Sequence, residues 1–178
     1  MRKNKGLYIH IPFCTHLCSY CDFTKMFFNE EMVDKYLSAL EKELKSYDIK
    51  DITSIYIGGG TPTSLNDVEF RRLLDIVSPY YKEGMSYAVE GNIENLSSQK
   101  IKLLKEYKVN RVSLGVQSFD DELLKLINRH HTKDDTFRVI DELVKNDIKD
   151  INIDLIYALP NQDLEKLKSI LANSKKIK

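Results

Sequence analysis

The chain has 178 residues, of which 42% are hydrophobic and 30% charged, the composition of a globular protein and the length of one domain. Its 27 Lys and Arg balance 27 Asp and Glu, which argues against a generic nucleic-acid binder, since that needs a basic field to meet phosphates. No apolar run approaches the roughly 20 residues of a membrane-spanning helix, and residues 1–6 lack the apolar core of an export signal, so a cytoplasmic location is expected.

In chain order, the pattern alternates strand and helix. Residues 7–11 predict a strand with Leu7, Ile9 and Ile11 on one face and Tyr8 and His10 on the other. A cysteine-bearing loop follows, and then a helix over 30–47 with Val33, Tyr36, Leu37, Leu40 and Leu44 at helical spacing. A strand over 54–57 runs into Gly58, Gly59, Gly60 and Thr61. A helix over 66–80 opens with Asn66 and Glu69 spaced as a capping pair. A strand over 86–90, a helix over 97–107 and a strand over 111–117 come next. Helices over 120–127 and 133–146 follow, the second opened by the pair Thr132 and Asp135. A strand over 151–157 and a helix over 163–172 complete the pattern. Alternating strands and helices imply right-handed crossovers and a parallel sheet.

The faces of those strands narrow the fold class. A doubly wound sheet carries helices on both faces, so its strands are apolar throughout. Here Val112, Leu114 and Val116 oppose Arg111, Ser113, Gly115 and Gln117, and Ile151, Ile153 and Leu155 oppose Asn152 and Asp154. One face is apolar and meets the helices; the polar face looks into a shared interior. The expected architecture is α/β, a partial (β/α) barrel of about five parallel strands with outer helices. Glu90 and Gln117 fall at the C-terminal ends of their strands and Asp154 midway along its own. The C-terminal mouth is where parallel barrels carry out chemistry.

All three cysteines lie in Cys14-Thr15-His16-Leu17-Cys18-Ser19-Tyr20-Cys21. An odd, clustered set is not a disulfide framework and points to a metal or cluster site in a reducing compartment. Three thiolates at this spacing suit three irons of a cubane, with the fourth iron open. Spacing alone also allows zinc bound as Cys3His, with His16 or His10 as the fourth donor. Phe13, Tyr20 and Phe23 read as core filler that also shields such a centre. The glycine run is neither a dinucleotide fingerprint nor a phosphate loop, having no lysine. It offers exposed backbone to the end of a small ligand.

Four segments together carry a resemblance. They are Leu7-Tyr8-Ile9-His10-Ile11-Pro12-Phe13-Cys14, Gly58-Gly59-Gly60-Thr61-Pro62-Thr63, Arg111-Val112-Ser113-Leu114-Gly115-Val116-Gln117-Ser118-Phe119 and Ile153-Asp154-Leu155-Ile156. The chain resembles the radical S-adenosylmethionine proteins, and within them the oxygen-independent coproporphyrinogen III oxidase group with its related heme chaperones. The resemblance implies that Cys14, Cys18 and Cys21 ligate a [4Fe-4S] cluster whose open iron takes the amino and carboxylate groups of S-adenosylmethionine. It implies Tyr8 beside cluster and cofactor, and Gly59, Gly60 and Thr61 along the methionine end. Glu90 and Gln117 would bind polar groups including the ribose hydroxyls. Arg129 would pair with a carboxylate, and Asp154 would complete the polar shell. An outside electron donor would drive cleavage of the sulfonium to a 5′-deoxyadenosyl radical. Read alone, Arg129 equally suits the C-terminus of a helix, and His130 and His131 after it read as surface residues.

Two departures from that group bear on function. Its oxidases carry a further cysteine two residues after the third; here Cys21 is followed by Asp22 and Phe23, as in the chaperone branch. Family members are also longer, with a sixth strand and a C-terminal domain, so residues 1–178 read as an incomplete core domain whose last strand leaves an open edge suited to a partner chain or self-association. The leading expectation is a heme-chaperone-type protein binding cluster, S-adenosylmethionine and heme. The alternatives are a coproporphyrinogen III oxidase decarboxylating propionates, and a zinc-binding structural barrel.

Overall fold

The computed structural model describes residues 5–177. Five strands form one parallel sheet in the order β1 (Gly6–Ile11), β4 (Ser54–Gly59), β5 (Ser86–Asn92), β6 (Arg111–Gln117) and β7 (Asp150–Leu155). Neighbours in space are successive in the chain, with no reversal of order. That is the winding of a barrel segment, not of a doubly wound sheet. The crossovers are α1 (Glu30–Ser46), α2 (Asp67–Val77), α3 (Ser98–Glu106), and the pair α4 (Asp121–Leu126) and α5 (Lys133–Lys145); α6 (Leu164–Ser174) follows β7. β2 (Phe13–Cys14) and β3 (Met26–Phe27) form a separate parallel ladder.

The core lies between one sheet face and the helices. Ile9, Ile11, Ile55, Ile57, Tyr87, Val89, Val112, Leu114 and Val116 are buried there against Val33 and Leu37 of α1, Phe70 and Leu73 of α2, Ile101 and Leu104 of α3, and Val139 and Leu143 of α5. The period-2 apolar face of each strand meets the period-3.6 stripe of each helix. β4 extends two residues beyond the expected strand, into the glycines, and β5 extends to Asn92. β7 stops at Leu155, which places Asp154 near its C-terminal end, not midway along it. The expected helix over 66–80 ends at Val77; Pro79 falls within a 3-10 turn over Ser78–Tyr80 that finishes the segment. The capping pairs are as expected: Asn66 with Glu69 and Thr132 with Asp135 each form a reciprocal box.

Three helices end alike. After α3, α4 and α5, residues Lys108, Asn128 and Asp147 take left-handed backbone angles (φ 63, 60 and 64°). Each helix closes with the paired hydrogen bonds of a Schellman turn, such as Asn128 N–H to Lys125 O and Arg129 N–H to Leu124 O. The turn reverses the chain and sends the next residue inward. After α3 and α5 that residue is aliphatic, Val109 and Ile148; after α4 it is Arg129, and all three are buried.

The Thr132 cap starts the helix that returns the chain from Arg129 and His131 to the outside. Thr132→Ala removes the side-chain acceptor of the Asp135 N–H and should cost about 1 kcal/mol, read as a lowered urea midpoint with unchanged m-value. No shift in the midpoint would contradict the role given to the cap.

Candidate functional site: a cavity at the C-terminal mouth

The polar faces of β4, β5, β6 and β7 and the loop after β2 enclose a cavity of about 930 Å³, within the size range of small-molecule sites. Its rim carries Cys14, Cys18 and Cys21. The loop that bears them is rooted by the β2–β3 ladder, with Met26 N–H bonded to Pro12 O and Phe28 N–H to Cys14 O. Within it, Cys21 N–H reaches Cys18 O, the Lys25 ammonium donates to Cys21 O, and His10 Nε2 lies 3.1 Å from Thr24 O. Cys14 is buried and its Sγ lies 3.4 Å from Thr61 Oγ1. Burial raises the Cys14 thiol pKa, the Thr61 hydroxyl partly offsets this, and the nearby thiols of Cys21 and Cys18 raise it again. A bound metal is the counter-charge that would convert such thiols to thiolates.

The glycine turn abuts this loop. Gly60 N–H bonds Ile11 O and Thr61 N–H bonds Phe13 O, both at 2.8 Å. Gly59, at φ 119°, sits in backbone space that side chains disfavour, and its N–H donates to Glu90 Oε2 at 3.0 Å. Tyr56 donates its hydroxyl to Glu90 Oε1 at 2.5 Å; burial and this bond both raise the Tyr56 pKa. Asp154 accepts from Asn152, which also reaches Ser113 Oγ. Gln117 ends β6 at φ 66°, a strained angle for a residue with a side chain, of the kind that collects at binding sites.

Across the cavity stands Arg129. Its Nη2 donates to Gly115 O at 2.7 Å and to Glu94 Oε2 at 2.9 Å; its Nη1 has only longer contacts, 3.4 Å to Asn92 Oδ1 and 3.5 Å to the Tyr20 hydroxyl. His131 is 5% exposed, which corrects its reading as a surface residue. The Schellman turn at Asn128 and the cap at Thr132 fold it inward, with Nε2 3.2 Å from Val116 O and Nδ1 3.1 Å from Glu94 Oε1. His130 is exposed, as expected, and its ring lies against that of His16, centroids 4.4 Å apart.

The cavity wall thus gathers Gly59, Gly60, Thr61, Glu90, Gln117, Arg129 and Asp154 with the three cysteines. Tyr8 is not on that wall. It is on the edge strand, 56% exposed, stacked on Tyr56 and bonded to His10. Phe23 lines the rim but is 75% exposed, so it is not core filler. Residues that sequence reasoning passed over include Asn92, which links Thr61 to Arg129, Glu94, and Lys100, whose buried ammonium donates to Thr63 O at 2.7 Å and Asn95 O at 3.0 Å. Asn92 continues the polar face of Glu90 by two residues and was within reach of the alternation. Glu94 and Lys100 had no such signal.

The surroundings fit an iron–sulfur cluster with a polar organic ligand. A Cβ on Gly115 would stand 2.8 Å from both Asn92 Oδ1 and Gln117 Nε2, so the missing side chain leaves room where polar groups converge. Among the described residues, no three His, Cys, Asp or Glu side chains are grouped to hold one ion. A Cys3His zinc site needs four donors within about 2.0–2.3 Å of one ion, an arrangement that neither His16, turned to His130, nor His10, its ring nitrogens at the Tyr8 hydroxyl and Thr24 O, supplies. A cubane needs no such convergence, because each iron takes its own thiolate.

Comparison with known proteins agrees with this geometry. Residues 8–172 match the profile of the Radical SAM superfamily. The chain is 44% identical over 170 residues to a heme chaperone HemW of Bacillus subtilis, covering 92% of this chain and 45% of that protein. It is 31% identical to the oxygen-independent coproporphyrinogen III oxidase of Escherichia coli, covering 90% of this chain and 36% of the relative. The structure of coproporphyrinogen III oxidase (HemN) from E. coli, described as a radical SAM enzyme, superposes with a TM-score of 0.89 at 29% identity, over 97% of this chain and 42% of that one. The chain spans less than half the length of these relatives. Among the described residues no helix is long and apolar enough to cross a membrane.

Two stability measurements test the network. Lys100→Met leaves the carbonyls of Thr63 and Asn95 without their donor and should cost about 2 kcal/mol; a change below about 0.5 kcal/mol would contradict its clamping role. Burial pushes the Glu94 carboxyl up, but His131 and Arg129 outweigh it and hold its pKa down to about 2. A depressed carboxyl stabilises the fold above its unfolded pKa and loses that contribution as pH falls through the folded value. Between about pH 4.5 and 2 the protein should lose up to about 3 kcal/mol through this group. Glu94→Gln should flatten that acid limb; an unchanged limb would contradict the assignment.

Proposed function

We propose, since the chain belongs to the radical SAM superfamily, that it holds a [4Fe-4S] cluster on Cys14, Cys18 and Cys21 and S-adenosylmethionine in the adjoining cavity, in the service of heme handling. The observation that carries this reading is the junction of the cysteine loop with the glycine turn at Thr61, which puts a three-thiol donor set beside a polar cavity. When bound, the cluster supplies one electron for reductive cleavage of the sulfonium. The chain's own residues bind, orient and shield. Gly59, Gly60 and Thr61 face the methionine end. Glu90, fixed by Tyr56 and Gly59 N–H, and Gln117 accept and donate to polar groups that include the ribose hydroxyls. Arg129 takes the carboxylate through Nη1, the nitrogen left with only long contacts, in a charge-assisted hydrogen bond. Asp154 closes the polar shell. Tyr20, with Leu155 and Ile156 on the cavity wall, limits water at the site.

Heme handling is supported by the Cys21-Asp22-Phe23 sequence, which lacks the further cysteine of the oxidases, and by the identity to proteins named heme chaperones. The second reading, oxidative decarboxylation of a coproporphyrinogen, draws on the structural likeness to the E. coli oxidase.

Anaerobic reconstitution should load about four irons per chain, and equilibrium dialysis should then detect S-adenosylmethionine binding. Cys18→Ser should lose the cluster absorbance and most of that binding. Failure of the unaltered chain to take up iron would overturn the proposal. Heme titration of the same protein should give a saturable Soret shift; release of CO2 from coproporphyrinogen III would favour the oxidase reading.

A further inference from the structure

We propose that Glu94 is a positioning residue that turns Arg129 into a selective receptor for the carboxylate end of the ligand; this rests on the reading of the cavity as an S-adenosylmethionine site. Glu94 is not on the cavity wall. It stands behind Arg129, on the 3-10 turn Ile93–Asn95 that follows β5. The two oxygens divide their work. Oε2 accepts from Arg129 Nη2 at 2.9 Å, while Oε1 faces the His130 N–H at 3.2 Å and His131 Nδ1 at 3.1 Å. The carboxylate is therefore held through both oxygens, one by the arginine and the other by the His130 N–H, and His131 beside it is tied to Val116 O on β6.

The guanidinium is held unequally as a result. Nη2 has two short bonds, to Glu94 and to Gly115 O, whereas Nη1 has two contacts at the outer limit of a hydrogen bond. Those weak contacts run to Asn92 and Tyr20, both of which line the cavity. One edge of the fork is thus anchored and the other is presented to a ligand. A buried guanidinium without a counter-ion is costly, so Glu94 also keeps Arg129 inside in the absence of ligand. Position in the chain supports a selected role. The equivalent residues after the other two Schellman turns are Val109 and Ile148; here the inward residue is a cation with a dedicated acid.

The test uses anaerobically reconstituted protein and two probes, S-adenosylmethionine and its decarboxylated analogue, by equilibrium dialysis. The unaltered protein should prefer the carboxylated probe by roughly tenfold or more, the discrimination that a charge-assisted hydrogen bond confers. Glu94→Gln should cut that preference by about threefold or more by weakening the first, leaving the analogue and the cluster absorbance unchanged, with the residual preference due to the open iron. Glu94→Asp, which keeps the charge but withdraws it by a methylene, should do the same and serves if Glu94→Gln does not fold. An undiminished preference in either variant, or an equal loss of both probes, would overturn the inference. If the unaltered protein binds both probes equally, the assignment of Arg129 to a carboxylate fails and this inference with it. If it binds neither, the S-adenosylmethionine reading itself fails, separately from the role of Glu94.

Discussion

The end of β4 is held against the root of the cysteine loop by two main-chain hydrogen bonds, Gly60 N–H to Ile11 O and Thr61 N–H to Phe13 O. The rest of the site is built outward from that join. It brings the Thr61 hydroxyl to Cys14 Sγ and to Asn92 Nδ2, and Asn92 reaches Arg129. A line of polar contacts therefore runs from the first cysteine across β4 and β5 to the arginine after α4. In a low-dielectric setting each member of such a line needs its partners. Lys100 supplies one from behind, by bonding the carbonyls at Thr63 and Asn95, and Asn95 in turn contacts Thr15 of the cysteine loop.

The sheet explains why a cavity is possible here. A strand face bearing Tyr56, Glu90, Ser113, Gln117 and Asn152 could not be covered by an apolar helix without stranding polar groups. With the crossovers all taking the apolar side, the polar side faces a shared interior. Gly115 widens it at the point where Asn92, Gln117 and Arg129 meet. Gln117 takes a left-handed angle at the end of β6, a cost of about 1–2 kcal/mol accepted where its amide joins that group.

Much of this was legible in the sequence. The alternation in β5, β6 and β7 distinguishes a one-faced sheet from a two-faced one, and the cysteine spacing marks the loop. The pairs Asn66–Glu69 and Thr132–Asp135 mark the starts of α2 and α5. What was not legible depends on contacts between distant residues. The β2–β3 ladder pairs only two residues on each strand, too few to leave a periodic signal. His131 lies between two helices in a stretch that reads as a solvated link; the left-handed Asn128 and the Thr132 cap turn it inward. Glu94 follows a strand as an ordinary acid would, and its partner is 35 residues away. Tyr8 alternates to the correct face, yet its place on an edge strand leaves it outside the cavity.

The central claim is that three sulfurs on one loop leave a corner of an iron–sulfur cluster accessible to a ligand lodged among Thr61, Glu90, Gln117 and Arg129. Its most direct test is the electron paramagnetic resonance spectrum of the reduced, reconstituted protein recorded before and after adding S-adenosylmethionine. A single reduced-cluster signal whose g-values move on addition is expected. A signal that stays unmoved at saturating ligand would contradict it.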